Sequence, residues 1–373
     1  MDTESFFWEI SKSPYKSKFL SETLEFGKDN PVFLLDQFSG KQPALINKEF
    51  LETGNLKFEM FPTALLDSNV LDQLDKFVQK GKTTDGFLDF LIFITQRGWD
   101  SSALFYYLEH YSKSDIDVFK KNAIRRTESL LKIHSMNEPH FLKTGEVIPN
   151  IEAVEHYKKS SDARSLYEVA EKRVESFIAN YNKSSLTAML EATEIALIKM
   201  VLIRKTEMNR SSIIEQYNEF IRFLKVDLGM ILAREAHLAI HYFCDNAGRL
   251  LGIQSTTSKE KAAAIIRSTA WDIYLLRMPE IMFPASPSEV CISYVSTQEK
   301  QLQALARLFS LERIESFASS NITPIVGFSM EGIPEHIQVE ISDHLLPVNE
   351  TQSISLPIGL KQALYNQLEV FCA

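Results

Sequence analysis

The chain has 373 residues, of which 45% are hydrophobic and 24% are charged, and its formal net charge at pH 7 is −9. This length and composition predict two domains, or one large domain with an insertion, and exclude a largely disordered chain. The negative charge argues against a general polyanion binder, so any contact with nucleic acid must come from local basic surface. Three cysteines without paired spacing, Cys244, Cys291 and Cys372, argue against a disulfide framework and favour a reducing compartment.

The N-terminal segment MDTESFFWEISK opens with acids and lacks a basic stretch before an apolar one, so we expect no signal peptide. The most apolar run, Ala196–Ile203, is far too short to span a membrane. These features predict a cytoplasmic protein without membrane contact.

The first predicted elements lie in residues 1–100. Residues 1–60 combine a helical opening with a short apolar run, Pro31–Asp36. Thr63–Leu66 is predicted to be a buried strand, and an amphipathic helix follows it until the polar segment Gly81–Gly86. A second helix runs from Phe87 to about Gln96. The apolar face of the first helix is formed by Val70, Leu71, Leu74, Phe77 and Val78.

The middle of the chain, from about 101 to 250, is predicted to be mostly helical. Leu186–Glu207 and Leu228–Phe243 are apolar on nearly all sides, which predicts two central, buried helices. A further helix over Ala262–Met278 is predicted to end at Pro279 because proline interrupts helical hydrogen bonding.

The last third returns to a strand followed by a helix. Val290–Val295 is rich in β-formers, and Ser296–Phe309 has helical periodicity. The proline-containing region from about 320 onward is predicted to be irregular until a short terminal helix, Leu360–Phe371. A strand that leads directly into a helix, near both ends, is typical of an α/β fold with a parallel sheet.

Four acids could carry chemistry. Asp67 and Glu299 lie just after β-like runs, where functional groups sit in open α/β sheets. Glu235 and Asp272 lie on strongly apolar helices, where an ionised carboxylate is costly unless it is paired or binds a cation. If the four converge, a divalent cation would relieve their repulsion, and an all-carboxylate set favours Mg²⁺ or Mn²⁺.

The order of these residues resembles that of the PIN-like nuclease family. The family pattern of a strand, Asp, Ser or Thr, Asn or Ser, Val and Leu stands here as ALLDSNVLDQL (residues 64–74). A helix-borne glutamate and a helix-borne aspartate follow in the family, then an acid in a "Thr-x-Asp" turn after a strand. Here that turn is YVSTQEKQL, so Glu299 replaces the family's aspartate. Glu235 or Glu194 would be the helix-borne glutamate, with Glu235 preferred.

The resemblance implies a small, mostly parallel sheet with flanking helices and a large helical insertion, helix-rich overall. The implied organisation is an N-terminal extension over 1–60, a PIN-like domain over 61–310 with an insertion at about 101–227, and a C-terminal extension over 311–373.

The function implied by the resemblance is metal-dependent hydrolysis of phosphodiester bonds, with RNA favoured over DNA. Mg²⁺ or Mn²⁺ would be held by Asp67, Asp272 and Glu299, with Glu235 or Glu194 completing the set. Asn69 would position the phosphate or a metal-bound water, and Thr297 would orient Glu299, the acid two residues later. Such a nuclease could be a toxin or defence effector restrained by a protein inhibitor, and a homo-oligomer is left open. The alternative is a non-catalytic interaction or scaffold protein on the same fold.

Each acid also has a structural interpretation. Asp67 could be only the N-cap of its helix, and Ser296-x-x-Glu299 has the capping-box pattern. Asp272 could pair with Arg267 or Arg277, and Glu235 with a nearby basic residue.

Two further patterns are compatible with ligand binding. His237 and His241 have the i, i+4 spacing of zinc ligands, but a polar helix face shared with Arg234 and Asp245 is the preferred interpretation. Basic clusters that could contact nucleic acid are Lys120, Lys121, Arg125 and Arg126, then Arg204, Lys205 and Arg210, then Lys259, Lys261 and Arg267.

Overall fold

The computed structural model describes residues 7–10, 20, 22–40, 44–181, 183–207, 211–247, 251–254, 256–286, 289–318, 321–342 and 356–372. These residues form a helix-rich α/β protein with mixed sheets that contain parallel strand pairs, as predicted. The chain divides into two compact units. Unit 1 comprises Met1–Gln42, Glu49–Asn182 and Met278–Gln303, and unit 2 comprises Pro43–Lys48, Lys183–Arg277 and Ala304–Ala373.

The strands are β1 (Phe7–Ile10), β2 (Leu24–Phe26), β3 (Val32–Leu35), β4 (Ala44–Asn47), β5 (Asn55–Leu66), β6 (Asp100–Ser102), β7 (Pro284–Ser286), β8 (Glu289–Thr297), β9 (Phe309–Ala318) and β10 (Asn321–Phe328). The helices are α1 (Lys48–Thr53), α2 (Ser68–Lys80), α3 (Asp85–Gln96), α4 (Leu104–Lys113), α5 (Ile116–His134), α6 (Glu138–Thr144), α7 (Ile151–Ser160), α8 (Leu166–Asn180), α9 (Lys183–Glu207), α10 (Ile213–Arg222), α11 (Ala233–Phe243), α12 (Lys259–Met282), α13 (Lys300–Ala306), α14 (Glu335–Ser342) and α15 (Leu360–Phe371). A π-helical segment, Phe223–Leu228, follows α10.

The main sheet of unit 1 has the strand order β1-β5-β8-β3-β2. Its centre is the parallel pair β5 and β8, in which Glu59–Leu66 aligns with Glu289–Ser296. The short strand β6 also pairs with β5 in parallel, whereas β3 pairs with β8 antiparallel. The carboxyl ends of β5, β6 and β8 therefore lie at one edge of the sheet, and each strand leads into a helix there: α2, α4 or α13.

The two central strands contain consecutive buried residues, most of them apolar. Ala64, Leu65 and Leu66 of β5 and Ile292 and Val295 of β8 are all essentially inaccessible to solvent. A parallel sheet is covered on both faces, so its strands do not alternate between apolar and polar residues. Helix α2 covers part of this sheet with one apolar face, and it ends at Gly81, which adopts the left-handed conformation.

Unit 2 is built around the long buried helix α9, which packs against α10, α11 and α15. A separate three-stranded sheet in this unit has the order β10-β9-β4. Leu364 and Leu368 of α15 are buried, and an ion pair of 2.7 Å joins Lys361 of α15 to the buried Glu194 of α9. None of the helices in the described ranges is both long and apolar enough to cross a membrane.

Several predicted elements are confirmed: the strand before Asp67, the helices after it, the helical middle, the buried helix near 186–207 and the terminal helix at Leu360–Phe371. The predicted helix Ser296–Phe309 is wrong at both ends, because β8 continues to Thr297, α13 covers only Lys300–Ala306, and Phe309 begins β9. The predicted end at Pro279 is also wrong, because α12 continues to Met282 with the proline inside it.

Other predictions fail where neighbouring segments decide the structure. Leu228–Phe243 is not one helix, because Gly229 has φ of 78° and α11 begins only at Ala233. The region after 320 contains β10, which pairs with β9, and helix α14. Of the predicted helical opening, Phe7–Ile10 is strand β1, and residues 1–6 and 11–19 lie outside the described residues.

The units divide the chain differently from the predicted domain boundaries. β1, β2 and β3 come from the predicted N-terminal extension 1–60, yet they belong to the main sheet of unit 1. The helices of 116–180, within the predicted insertion, group with unit 1, whereas α9–α12 group with unit 2 apart from the last residues of α12.

We predict that Gly86→Ala destabilises unit 1. A Cβ atom at Gly86 would overlap the carbonyl oxygen of Phe26, which is backbone and cannot rotate away. We expect a loss of roughly 1–3 kcal/mol in the free energy of unfolding, the usual cost of overpacking. Denaturant unfolding measures it, with Asp89→Ala at an exposed position of the same helix as the control. Equal stability of the two variants would contradict this packing.

Candidate active site at the carboxyl edge of the sheet

Asp67 lies directly after β5 and is the N-cap of α2. Its backbone is extended, with φ of −63° and ψ of 157°, and its N–H donates to the Ser296 carbonyl at 3.0 Å, which prolongs the pairing of β5 with β8. Its Oδ1 accepts from the Ser68 N–H at 2.6 Å. The predicted capping role is therefore confirmed. Only 7% of the residue is exposed, which is unusual for a capping aspartate on a protein surface.

Two polar side chains hold the other carboxylate oxygen of Asp67. The Thr297 hydroxyl donates to Oδ2 at 2.7 Å, and the Asn69 amide donates to the same atom at 2.7 Å. The side-chain oxygen of Asn69, Oδ1, accepts from the Gln298 backbone N–H at 3.1 Å. Asn69 therefore links the start of α2 to the end of β8 and fixes the orientation of the Asp67 carboxylate.

Two glutamates that follow the neighbouring strands β8 and β6 lie beside Asp67 and the first residues of α2. Glu299, which is exposed, lies two residues beyond β8, with its Oε1 3.4 Å from the Asn69 amide nitrogen. Glu109 comes from α4 after β6, and its Oε2 accepts from the Ser68 hydroxyl at 2.5 Å. Lys113 pairs with the other oxygen of Glu109 at 2.7 Å. The edge thus collects Asp67, Glu109 and Glu299, each supplied by a different parallel strand and its helix.

The electrostatic consequence is a raised pKa at Asp67. Burial, the largest cause, and the charges of Glu299 and Glu109 together raise the pKa of this carboxyl to about 6, although the hydrogen bonds from Thr297 and Ser68 lower it in part. A buried carboxylate facing two acids is a typical feature of functional sites.

Glu109 is a member of this cluster that the sequence does not reveal. The strand before it, β6, is only Asp100–Ser102, a sequence without β-forming residues. It is a strand because Thr63, Ala64 and Leu65 of β5 pair with it. The only local signal is a glutamate on the amphipathic helix that follows, which is common in any protein.

The predicted Glu235 has a structural partner within unit 2. It is completely buried on α11 and forms a salt bridge with Arg277. Its other oxygen accepts from the Thr193 hydroxyl at 2.6 Å, and Arg277 also donates to Thr193 at 3.0 Å. The interpretation of Glu235 as half of a buried ion pair is therefore confirmed, and the pair links α9, α11 and α12.

The remaining predicted acids also lie in unit 2. Glu194, the alternative to Glu235, is buried on α9 between Lys361 and, at 4.0 Å, Arg267. Asp272 is half-buried on α12. Its suggested partner Arg277 is engaged by Glu235. Ser296, suggested as a helix cap for Glu299, instead donates from its hydroxyl to the Leu65 carbonyl at 3.0 Å inside the sheet, so the capping-box interpretation is wrong.

The histidine pair is buried rather than on a polar face. His237 and His241 are 0% and 1% exposed, so the interpretation as an ordinary polar helix face is wrong. Both Nε2 atoms lie close to the Ser329 carbonyl oxygen, at 2.9 and 2.8 Å.

The basic clusters are partly neutralised. Arg125 pairs with Asp75 at 2.9 Å, and Arg126 with Asp72 at 2.6 Å. In the second cluster Arg204 pairs with Asp245 at 2.6 Å, Lys205 is exposed, and Arg210 lies outside the described residues. In the third, Lys259 pairs with Glu369, and Lys261 is exposed. Lys121, also exposed, is the most available cation of the cluster in unit 1.

The donor chemistry of the edge suits a hard cation, since carboxylate, hydroxyl and amide oxygens are what Mg²⁺ and Mn²⁺ prefer. Across the described parts of the chain, however, no group of three or more His, Cys, Asp or Glu side chains is arranged to hold a metal ion. A cation at Asp67 would therefore require the side chain of Glu109 or Glu299 to move toward it. Glu109 would have to give up its ion pair with Lys113 in order to bind the cation.

Comparison with known proteins yields no match to a protein-family model, a curated protein or a solved structure.

We predict that Arg277→Met destabilises unit 2 by about 3–5 kcal/mol, because it leaves the buried Glu235 carboxylate without its counter-charge. The double variant Glu235→Leu with Arg277→Met should recover most of that loss. Denaturant unfolding of both variants measures the effect. A single variant as stable as the unmodified protein would show that Glu235 does not depend on this ion pair.

We predict that Asp67→Asn becomes progressively less unfavourable as the pH rises. The folded pKa of about 6 lies above the ordinary value of 3.8, so stability from Asp67 is complete below about pH 4 and is lost as the pH passes through 6. A difference of about two units between the folded and unfolded pKa corresponds to about 2.7 kcal/mol in the free energy of unfolding. From pH 4 to 7.5 the wild type should therefore lose roughly 2–3 kcal/mol of unfolding free energy relative to the variant.

The control for this pH series is Asp115→Asn, which replaces an exposed N-cap aspartate on α5 in the same way. A wild-type-minus-Asp67→Asn difference that stays constant across the pH range would contradict the burial and acidic surroundings of Asp67.

Proposed function

We propose that the chain is a metal-dependent nuclease that hydrolyses phosphodiester bonds, with RNA as the favoured substrate and Asp67 as its principal carboxylate. The observation that supports this most is the buried Asp67 facing Glu109 and Glu299 at the carboxyl edge of three parallel strands. This edge is where open α/β folds place their ligands. The free cysteines Cys244, Cys291 and Cys372 favour the cytoplasm as its location.

In this proposal Mg²⁺ or Mn²⁺ would be held by Asp67, Glu299 and Glu109. When bound, the cation would lower the pKa of a water molecule and offset the negative charge that develops on the phosphate in the transition state. Glu109 replaces the helix-borne acids expected from the family order, since Glu235 is committed to Arg277. Asp272 remains a predicted ligand that no observation supports.

The chain's own polar residues would orient the acid. Thr297 and Asn69 fix Oδ2 of Asp67 by two hydrogen bonds of 2.7 Å, so this carboxylate cannot rotate freely. A fixed carboxylate loses little conformational entropy when it binds a cation. We assign both residues to positioning Asp67, and a direct contact of Asn69 with the phosphate remains a further proposal. Lys121, an exposed cation of α5 in the same unit, would be a point of attraction for the nucleic-acid backbone.

A second candidate is a non-catalytic interaction protein on the same fold. The observation in its favour is that both Asp67 oxygens already have hydrogen-bond donors, as expected of a purely structural cap. In that case millimolar Mn²⁺ would leave the melting temperature unchanged, because no site binds it.

The nuclease proposal predicts that the full-length protein with Mn²⁺ cleaves single-stranded RNA and that Asp67→Asn reduces the rate by at least about 100-fold, because removal of a metal-ligating charge removes the cation. Cleavage is followed by electrophoresis of an end-labelled RNA, with a single-stranded DNA in parallel.

Asp115→Asn is the matched control for this assay, since it changes another N-cap aspartate while leaving the sheet edge intact. Glu109→Gln should reduce the rate as well. If wild type and Asp67→Asn are equally inactive with Mg²⁺ and Mn²⁺ on both substrates, the nuclease proposal is wrong and the interaction protein is favoured.

A further inference from the structure

Three polar atoms converge inside unit 2. Nε2 of His237 lies 2.9 Å from the Ser329 carbonyl oxygen, and Nε2 of His241 lies 2.8 Å from the same oxygen. The two Nε2 atoms are 3.1 Å apart. The rings meet edge to face, with an interplanar angle of 73°.

Protons cannot satisfy all three contacts. The carbonyl oxygen only accepts, so each imidazole must present an N–H to it. If both rings do so, the two nitrogens face each other at 3.1 Å with no acceptor between them. If one Nε2 atom carries no proton, it can accept from the other Nε2–H. Its lone pair then faces a lone pair of the Ser329 carbonyl oxygen, and this contact is repulsive. One of the three contacts is therefore unfavourable in every tautomer.

The geometry points to a divalent transition-metal site formed by His237 Nε2, His241 Nε2 and the Ser329 carbonyl oxygen, which takes an ion of the zinc class. A single cation would satisfy all three atoms through their lone pairs. Ligands of tetrahedral zinc at 2.0–2.1 Å lie about 3.3 Å from one another. The observed separations of 2.8–3.1 Å are a few tenths of an ångström shorter, so a small outward movement of the rings would admit the ion.

Metal binding through Nε2 requires the proton of each ring to be on Nδ1, and both rings can adopt this tautomer. Neither Nδ1 atom has a hydrogen-bond partner among the described residues, so no protein group fixes the proton on Nε2. Burial lowers the pKa of His237 to about 3, and it also lowers the pKa of His241. Both rings are therefore neutral at pH 7, the form in which imidazole binds metals.

The surroundings favour a structural ion. Phe328 stacks on the His237 ring at 4.2 Å between centroids, and Phe309 packs against its edge, so the rings are held on an apolar wall. Ser329 is half-buried, and a water molecule would have to complete the coordination of the ion. The ion would join α11 to the end of β10. Two imidazoles and a carbonyl suit Zn²⁺, Ni²⁺ or Cu²⁺ better than Mg²⁺ or Mn²⁺, so this site is independent of the cation proposed at Asp67.

The test is a titration of metal-free, full-length protein with ZnCl₂, read by long-range proton–nitrogen NMR of ¹⁵N-histidine. The chain has 8 histidines. We expect His237 and His241 to change from the Nε2–H to the Nδ1–H tautomer as one equivalent of zinc binds, and the others to keep theirs. If both signals are unchanged by zinc, the site does not exist.

A second measurement uses variants. His241→Gln should lower zinc affinity, measured by competition with a chromophoric chelator, by roughly tenfold or more, since even the loss of a supporting residue has that effect. His336→Gln, at an exposed position of α14, is the matched control and should retain wild-type affinity. Equal affinity in the two variants would assign zinc to other ligands and overturn the proposal. If His241→Gln does not fold, the NMR titration of the wild-type chain decides alone.

Discussion

The parallel pairing of β5 with β8 is the constraint on which the rest of unit 1 depends. Eight consecutive residue pairs align, from Glu59 with Glu289 to Leu66 with Ser296. The partners are about 230 residues apart in sequence, so their association closes a very long loop and requires a large compensating burial. That burial comes from apolar residues on both faces of both strands. Once this register forms, Asp67 and Thr297 must meet at its end.

The sheet edge buries the Asp67 carboxylate, and this burial has a cost in free energy. A buried carboxylate is unfavourable unless hydrogen bonds stabilise its charge, and Asp67 receives such bonds from Ser68, Asn69 and Thr297. The neighbouring Glu109 and Glu299 add repulsion that a purely structural cap does not need. Other caps in the chain, such as Asp115, stabilise their helices at exposed positions without this conflict. The same conflict is absent at Glu235, where Arg277 supplies the opposite charge.

The sequence predicts the part of this site that local patterns can encode. Asp67 and Glu299 follow from apolar runs that end in polar residues, because strand burial and strand ends are both visible in sequence. Asn69 and Thr297 are expected only from the resemblance to the PIN-like family. Glu109 does not follow, since β6 has no apolar run and exists through its pairing with β5. The role of Glu235 also depends on a distant partner. A lone acid on an apolar helix has the same local pattern whether it binds a cation or the Arg277 guanidinium.

The fold was predictable to a similar extent. Alternation of strand and helix indicates the α/β class, and amphipathic periodicity places α2, α3 and α15 closely. The extent of β8 to Thr297 depends on hydrogen bonds to other strands, which no local pattern contains. The grouping of the chain into two units depends on contacts between distant segments, since unit 2 takes residues from before β5, from the middle and from the end.

The central claim is that Asp67 is a cation ligand rather than only a helix cap. The most direct measurement is Mn²⁺ binding to the full-length protein, followed by the loss of the free-ion electron paramagnetic resonance signal. Asp67→Asn and Asp115→Asn remove the same charge from two helix N-termini, so their comparison isolates the sheet edge. We predict one Mn²⁺ site per chain that Asp115→Asn retains and Asp67→Asn loses. Equal Mn²⁺ binding by both variants would contradict the claim.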